Sequence, residues 1–361
     1  MLKHKMKISG FSTIFMVVAC GLIGCNTSVQ EYSSPEGSIM TVLGPIPPDS
    51  LGKTLIHEHV FLDWSPAEEE DAWQWNNAEA LQFILPYVEE MKSQGVQSFV
   101  ECTPKYIGRN PRLLKKLSEI TGLNVLTNTG FYAARNFQHI PDFAYDASPH
   151  SLAAIWIKEF EEGIEGTGIR PGFIKIGLDY KDKTMLTEID EKIVRAAALT
   201  HQSTGLTIVA HSGTEAMALA CLEVLKSEGV AANAFVWTHA QNSLPGEHEH
   251  IASHGAWVSI DGMGSIRVDS DSGDTLQLNR YVDYLVNLKQ AGMLDRTLIS
   301  HDAGWYTVGE ENTEMSRPYT AIFKYVIPAL KEKGFTAEDV DQMLVKNART
   351  AYTIHKRLIN R

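Results

Sequence analysis

Cysteine is scarce in this chain, four in 361 residues. Cys20 and Cys25 belong to an N-terminal segment, which leaves Cys102 and Cys221 for everything else. Two thiols build no disulfide framework. Cys102 ends an apolar run and Cys221 sits in an Ala-rich helical pattern, so both read as buried free thiols. Basic charge is also in deficit: 32 Lys and Arg stand against 44 Asp and Glu, a net charge of −12. That deficit argues against a nucleic-acid partner and against electrostatic docking on anionic lipid. The apolar run from Phe11 to Ile23 falls short of the roughly 20 residues that cross a bilayer. There is no low-complexity tract, and no internal repeat beyond an alternation of strand and helix patterns.

Lys3, Lys5 and Lys7 precede that apolar run, which ends Leu22-Ile23-Gly24-Cys25. Charge, length and ending together resemble the leader and lipobox of bacterial lipoproteins. The resemblance implies cleavage before Cys25 and lipidation of its sulfur and amine; an ordinary secretory leader or an uncleaved anchor are the alternatives. Loss of residues 1–24 removes three lysines and no acids, and moves the net charge from −12 to −15. The expected organisation is a leader over 1–24, a polar tether over 25–38 and one domain over 39–361. That last span is long for a single domain but ordinary for an eight-fold barrel. The location that follows is the bacterial cell envelope, on its periplasmic or outer-surface side, with the membrane reached through the lipid anchor alone.

From Ile39 onward the chain alternates. Ile39 to Leu43 reads as a short strand that Gly44-Pro45 breaks before Ile46. Strand patterns follow at 54–59, 97–102, 123–130, 173–177, 206–211, 234–239, 256–260 and 297–302. Helical patterns fall at 76–94, 111–121, 150–164, 190–204, 215–228, 247–254, 276–291, 317–333 and 337–346. The first helix has Ala80, Phe83, Ile84, Tyr87, Val88 and Met91 on one stripe, and Pro86 should kink or split it. Strict alternation predicts a parallel sheet. Eight units predict an α/β fold, a (β/α)8 TIM barrel with a short N-terminal strand and C-terminal helices.

In such barrels chemistry sits at the C-terminal ends of the strands. The polar residues there are His57 and His59 on the first strand, Lys175 on the fourth, His211 on the fifth, His239 on the sixth and Asp302 on the eighth. His57 and His59 are two apart and share a strand face, while Glu58 points the other way. One histidine after a strand is an ordinary rim residue; this many at one rim make a candidate metal site. Lys175 lies within the apolar strand Gly172-Phe173-Ile174-Lys175-Ile176-Gly177. A snorkelling lysine or a buried ion pair is the plain reading. Burial opposes the ammonium charge, however. A neutral amine adds CO2 to give a carbamate, an anion with two oxygens that can bridge two cations.

These stretches resemble the phosphotriesterase family of the amidohydrolase superfamily, from about Thr41 to Leu358. They are Val42-Leu43-Gly44-Pro45-Ile46 with Thr54-Leu55-Ile56-His57-Glu58-His59, then Ile107-Gly108-Arg109-Asn110 and Gly172-Phe173-Ile174-Lys175. Ala210-His211-Ser212, Thr238-His239, Ser300-His301-Asp302 and Asn347-Ala348-Arg349 continue the series. The resemblance implies a hydrolase with two divalent metal ions. His57, His59 and Asp302 would hold one, His211 and His239 the other, and a carboxylated Lys175 with a hydroxide would bridge them. Zn2+ is the first expectation, and Mn2+, Co2+ and Fe2+ suit the same donors. Asp302 is expected to take up the proton. Glu58 is expected to brace its strand, and His301 to face away from the site. His139, His150, His201, His248, His250, His254 and His355 read as surface or capping residues.

Thr129-Gly130-Phe131-Tyr132 resembles the lactonase branch of that family, and implies that the Tyr132 phenol orients a lactone oxygen; an inert aromatic wall is the alternative. Tyr106 lies near the rim and Arg109 reads as a loop brace. Two positions depart from the pattern. Asn242 stands where an acid is usual, and Gly262 where a histidine or arginine follows the aspartate, so the relay away from Asp302 is altered. Arg267 offers a charge from elsewhere. Trp305 and Tyr306 read as pocket walls, and Ala303 to Ser316 as a mobile rim loop. The expected activity is hydrolysis of ester bonds in lactones or carboxyl esters, with promiscuous phosphotriesterase activity. The alternatives are amide or phosphorylated sugar-lactone hydrolysis at the same site, disfavoured for the latter by the want of a basic cluster, and a ligand-binding lipoprotein that has lost turnover. The family also implies a homodimer.

Overall fold

The computed structural model describes residues 35–359, apart from 71, 73, 74, 180–183 and 268–274. The leader, Cys25 and most of the tether lie outside the described residues, so the lipidation reading is addressed only by sequence. Among the described residues no helix is long and apolar enough to cross a membrane.

The barrel strands are β1 (Thr54–Leu62), β2 (Ser98–Glu101), β3 (Asn124–Leu126 with Asn128–Thr129), β4 (Phe173–Gly177), β5 (Ile208–His211), β6 (Phe235–Thr238), β7 (Trp257–Ile260) and β8 (Thr297–Ile299). All pair in parallel in chain order. Strands wrapped by helices bury both faces, which is why β1 is buried along all nine residues. β3 is interrupted at Thr127, whose carbonyl accepts from Gly172 N–H at 2.7 Å and carries the ladder across the break. Closure comes after β8: Asp302 N–H donates to the His57 carbonyl at 3.0 Å, and His59 N–H donates to the Ala303 carbonyl at 2.9 Å. The fold is the (β/α)8 barrel.

Gly44–Ile46 does not merely break the first strand. It turns back and pairs antiparallel with Ile39–Thr41. Ile39 then packs with Leu51, Ile56, Val100, Phe173 and Val209 in one apolar cluster. Helix Asn77–Ser93 runs through Pro86 without a break, with the Asn76 side chain accepting from Glu79 N–H as its N-cap. The helix expected from Arg317 begins only at Ala321: Pro318 keeps Arg317 out of helical geometry, and Tyr319 and Thr320 form a turn ahead of the helix. Its first turn, Ile322–Val326, is a π-turn placed just ahead of Pro328, which has no N–H to close a normal turn. The last helix extends past Lys346 to Tyr352, again through a π-turn, Gln342–Lys346.

Three of the histidines read as surface or capping residues are buried, each against a backbone carbonyl. His139 Nδ1 faces the Tyr106 carbonyl at 3.1 Å, and His248 Nε2 faces the Ala240 carbonyl at 2.7 Å. His201 Nδ1 donates to the Leu206 carbonyl at 2.8 Å while Nε2 accepts from Arg357 N–H at 2.9 Å, which requires a neutral ring. Burial holds its pKa down to about 4, against 6.5 for the free side chain. The unfolded chain therefore binds more protons between those values, and stability falls as pH drops from about 6.5 toward 4. The loss is roughly 2 kcal/mol by pH 5 from this group. His201→Gln should flatten that slope in urea unfolding of metal-stripped protein at pH 7 and pH 5; an unchanged slope would refute the assignment.

Candidate metal centre

His57 and His59 share a face of β1 as alternation expects, but alternation does not account for Ile56. Ile56 belongs to the cluster with Phe173 and Val209, yet its neighbour His57 faces Lys175. A register shift between Leu55 and Glu58 absorbs the mismatch. Lys175 comes from β4, His211 ends β5, and His239 and Asp302 follow β6 and β8. His239 and Asp302 have φ of 59° and 50°, left-handed values unusual away from glycine. Such backbone strain gathers at functional sites.

The six side chains meet. Lys175 Nζ, 2% exposed, lies 3.5 Å from His57 Nε2. Asp302 Oδ1 lies 3.2 Å from His59 Nε2 and 3.8 Å from His57 Nε2. The His57 and His239 rings are 4.9 Å apart, and those of His211 and His239 4.3 Å. Tyr132 Oη is 3.3 Å from His211 Nε2. Glu58, fully buried, accepts from Ser300, His301 and Ala303, so it braces the turn that carries Asp302. His301 lies on that outer side, its Nε2 accepting from Ile322 N–H.

Sequence reading passed over Asp261, although it follows the apolar end of β7 as the others follow theirs. Asp261 is fully buried and holds two rings at once, His57 Nδ1 at 3.0 Å and His239 Nδ1 at 2.8 Å. His59 is held separately: its Nδ1 meets Thr103 Oγ1 at 2.8 Å, and that hydroxyl donates to Glu101. Each ring thus has one nitrogen committed and the other aimed inward, the arrangement that orients imidazole ligands.

The charges agree. Burial lowers the His57 pKa to about 4, with Lys175 adding to it against the pull of Asp261. Burial, then His239 and Lys175, holds His211 well below the usual range. Burial opposes the charges on Asp261 and Asp302, but neighbouring histidines outweigh it and hold both carboxylates low. His239 moves the other way, since Asp261 outweighs its burial.

Two cavities share His211, His239 and Asp302. One, about 160 Å3, is walled by Leu62, Trp64, Ile107, Tyr132 and Trp305. The other, about 340 Å3, is polar and takes in Asn242, Gly262, Gln277, Arg280 and Arg317. A side chain at Gly262 would meet Gln241 Nε2 and Tyr281 Oη at 2.5 Å. Gln241 instead fills that space and bonds both the backbone and the carboxylate of Asp261.

Several rim assignments change. Tyr306 turns away from the site to stack on Phe61 at 5.7 Å, because Gly304–Thr307 is a strand paired with β1 and not the start of a loose loop. Arg267 is bound to the carbonyls of Gly264, Ile266 and Ser316 and lies in neither cavity. Arg317 supplies a charge beside the site, with Nη1 3.8 Å from Asp302 Oδ2. Its reading as a helix start hid it. Arg109 is the expected brace, bidentate to Glu159 at 2.7 and 2.8 Å and nearly inaccessible. Arg109→Met should cost roughly 3–5 kcal/mol in denaturant unfolding by stranding Glu159, and much of that should return in Arg109→Met/Glu159→Leu.

The donors suit divalent cations. The facing atoms of His57, His59 and Asp302 lie within 4.8 Å of one another. The two carboxylates are held anionic, and His57 and His211 neutral, as metal binding requires; His239 alone is drawn by Asp261 toward its protonated form.

Comparison with known proteins agrees with that chemistry. The model of the phosphotriesterase family matches residues 37–352. An aryldialkylphosphatase of Saccharolobus solfataricus is 27% identical, over 84% of this chain and 95% of its own. An N-acetyltaurine hydrolase of Xenopus tropicalis is 27% identical, over 87% and 97%. Among solved structures, a mutant of a phosphotriesterase-like lactonase from Deinococcus radiodurans superposes with a TM-score of 0.75 at 29% identity, over 87% of this chain and 99% of that one. With its barrel and its histidine- and carboxylate-lined rim, the chain belongs to the phosphotriesterase family and is a metal-dependent hydrolase.

Proposed function

We propose that this enzyme hydrolyses carboxyl-ester bonds, lactones and open-chain esters first, at a binuclear centre. The observation that carries the reading is Tyr132, whose phenol reaches the metal rim 3.3 Å from His211 on the wall of the apolar cavity. There it can orient the carbonyl or ring oxygen of an ester whose acyl part is covered by Trp64, Trp305 and Ile107. The likeness to a lactonase supports this. The likeness to an N-acetyltaurine hydrolase favours a second reading, an amide bond at the same centre.

His57, His59 and Asp302 would hold one ion, His211 and His239 the other, with Lys175 between them as its carbamate. Zn2+ suits these donors best. Bound there, the ions would supply an acidified water and a polarised carbonyl. Lys175 supports its role by burial beside His57, with no carboxylate within 4 Å among the described residues. Asp302 would accept the proton at Oδ2, since Oδ1 lies toward His59 and His57, while Asp261 and Thr103 keep the rings from turning.

A panel of γ- and δ-lactones, aryl esters, N-acyl amides and a phosphotriester, run on fully metallated protein, tests the assignment. Esters should lead in kcat/KM. Amides leading would select the second reading, and no turnover of any class would leave a binding protein. Cys25 belongs to the same proposal as the lipid attachment point, in the cell envelope. Cys25→Ser should move the mature protein out of the detergent phase; retention there would contradict it.

A further inference from the structure

We propose that the polar cavity binds an oxyanion carried by the substrate, through Arg317 and Arg280. This deepens the hydrolase reading and rests on it: the acyl group would occupy the apolar cavity and the anion the other side of the scissile bond. Because the cavities share His211, His239 and Asp302, one small molecule can span both across the metal rim. Asp302 is the sole carboxylate among the described residues lining the polar side, against two guanidinium groups.

Those guanidinium groups are not spent as Arg109 is. Arg109 is sealed between Glu159 and Glu165. Arg317 meets Asp302 only at 3.8 Å, adds one long bond of 3.4 Å to its carbonyl, and lies over the Trp305 ring at 5.2 Å. Arg280 is fixed by neutral partners, Tyr284 Oη at 2.5 Å and the Gln241 carbonyl at 3.0 Å, and makes no ion pair among the described residues. Stacked and hydrogen-bonded guanidinium groups are pre-organised, so less freedom is lost on binding an anion. Gln277 and Asn242 add neutral hydrogen-bonding groups. In a chain of net charge −12, a cavity lined by two guanidinium groups and one carboxylate offers an anion opposite charge. Carboxylate, sulfonate and phosphate share the chemistry that would exploit it.

Acetyl esters of ethylene glycol, 3-hydroxypropionate, isethionate and 2-hydroxyethyl phosphate differ only in the distal group and separate the cases. With the metallated enzyme, the best anionic ester should exceed the neutral one in kcat/KM by roughly tenfold to a hundredfold, mostly through KM. The advantage should shrink with added salt. Arg317→Gln and Arg280→Gln should each collapse the ratio, and Arg317→Lys should keep part of it. Equal rates on all four esters would overturn the proposal and leave the ester reading standing, as would a preference unmoved in both Gln variants. If no ester turns over, calorimetry with isethionate and ethylene glycol decides. Anion binding that is lost in Arg317→Gln would uphold the anion site without the ester chemistry, and no binding would overturn both.

Discussion

Lys175→Ala should bind at most one metal ion per chain and lose about three orders of magnitude in kcat/KM. Lys175 is the one amine among the buried ligand candidates, 3.5 Å from His57 and 2% exposed. As an ammonium it would repel cations. As a carbamate it would add a negative charge and two oxygens where His57, His59 and Asp302 already converge. Alanine removes that bridge but leaves His211 and His239 in place, so loading falls more than folding does. A Lewis-acid contribution of several kcal/mol corresponds to a loss of roughly 10^3-fold. Elemental analysis after dialysis measures the loading. Added acetate or propionate should partly restore it, since the vacated space admits a short carboxylate. Unchanged two-ion loading in the alanine protein would refute the bridging role.

Asp261→Asn should weaken metal retention at the upper end of the 10- to 100-fold expected when one supporting carboxylate is lost. Its two oxygens accept directly from His57, His239, Gln241 and Ser259. An amide keeps one acceptor and turns an N–H2 toward the other ring, so one imidazole loses its acceptor and both lose the negative charge that held their N–H groups. Thr103→Val is the comparison, because it releases His59 alone. Competition against a chelator, with secondary structure followed in parallel, should rank wild type above Thr103→Val and Thr103→Val above Asp261→Asn. Asp261→Asn retaining metal as well as Thr103→Val would show that Asp261 serves folding and not the site.

What could be read from the chain beforehand was what depends on local pattern. Strand-ending polar residues located His57, His59, Lys175, His211, His239 and Asp302, because a barrel brings every strand end to one rim. Asp261 obeys the same rule after Trp257–Ile260. The adjacent Gly262 masks it in the sequence, because Gln241, which occupies the space a side chain there would fill, bonds Asp261 only through the fold. Long-range contacts left no such trace. Nothing near His201 announces that Arg357 will donate to it, and nothing near Tyr306 announces a strand paired with β1. Arg317 was assigned to a helix that Pro318 delays, so its place beside Asp302 and Trp305 came only from the fold. Its position, with that of Arg280, supplies the basic pair that sequence alone did not reveal.

The most direct test of the two-metal centre is the chemical state of Lys175 itself. Protein loaded with Zn2+ in 13C-labelled bicarbonate should show a carbamate carbon by NMR, with two ions per chain by elemental analysis. The signal should vanish in Lys175→Ala and on removal of the metal. A fully loaded, active protein with an unmodified amine at Lys175 would contradict the centre proposed here.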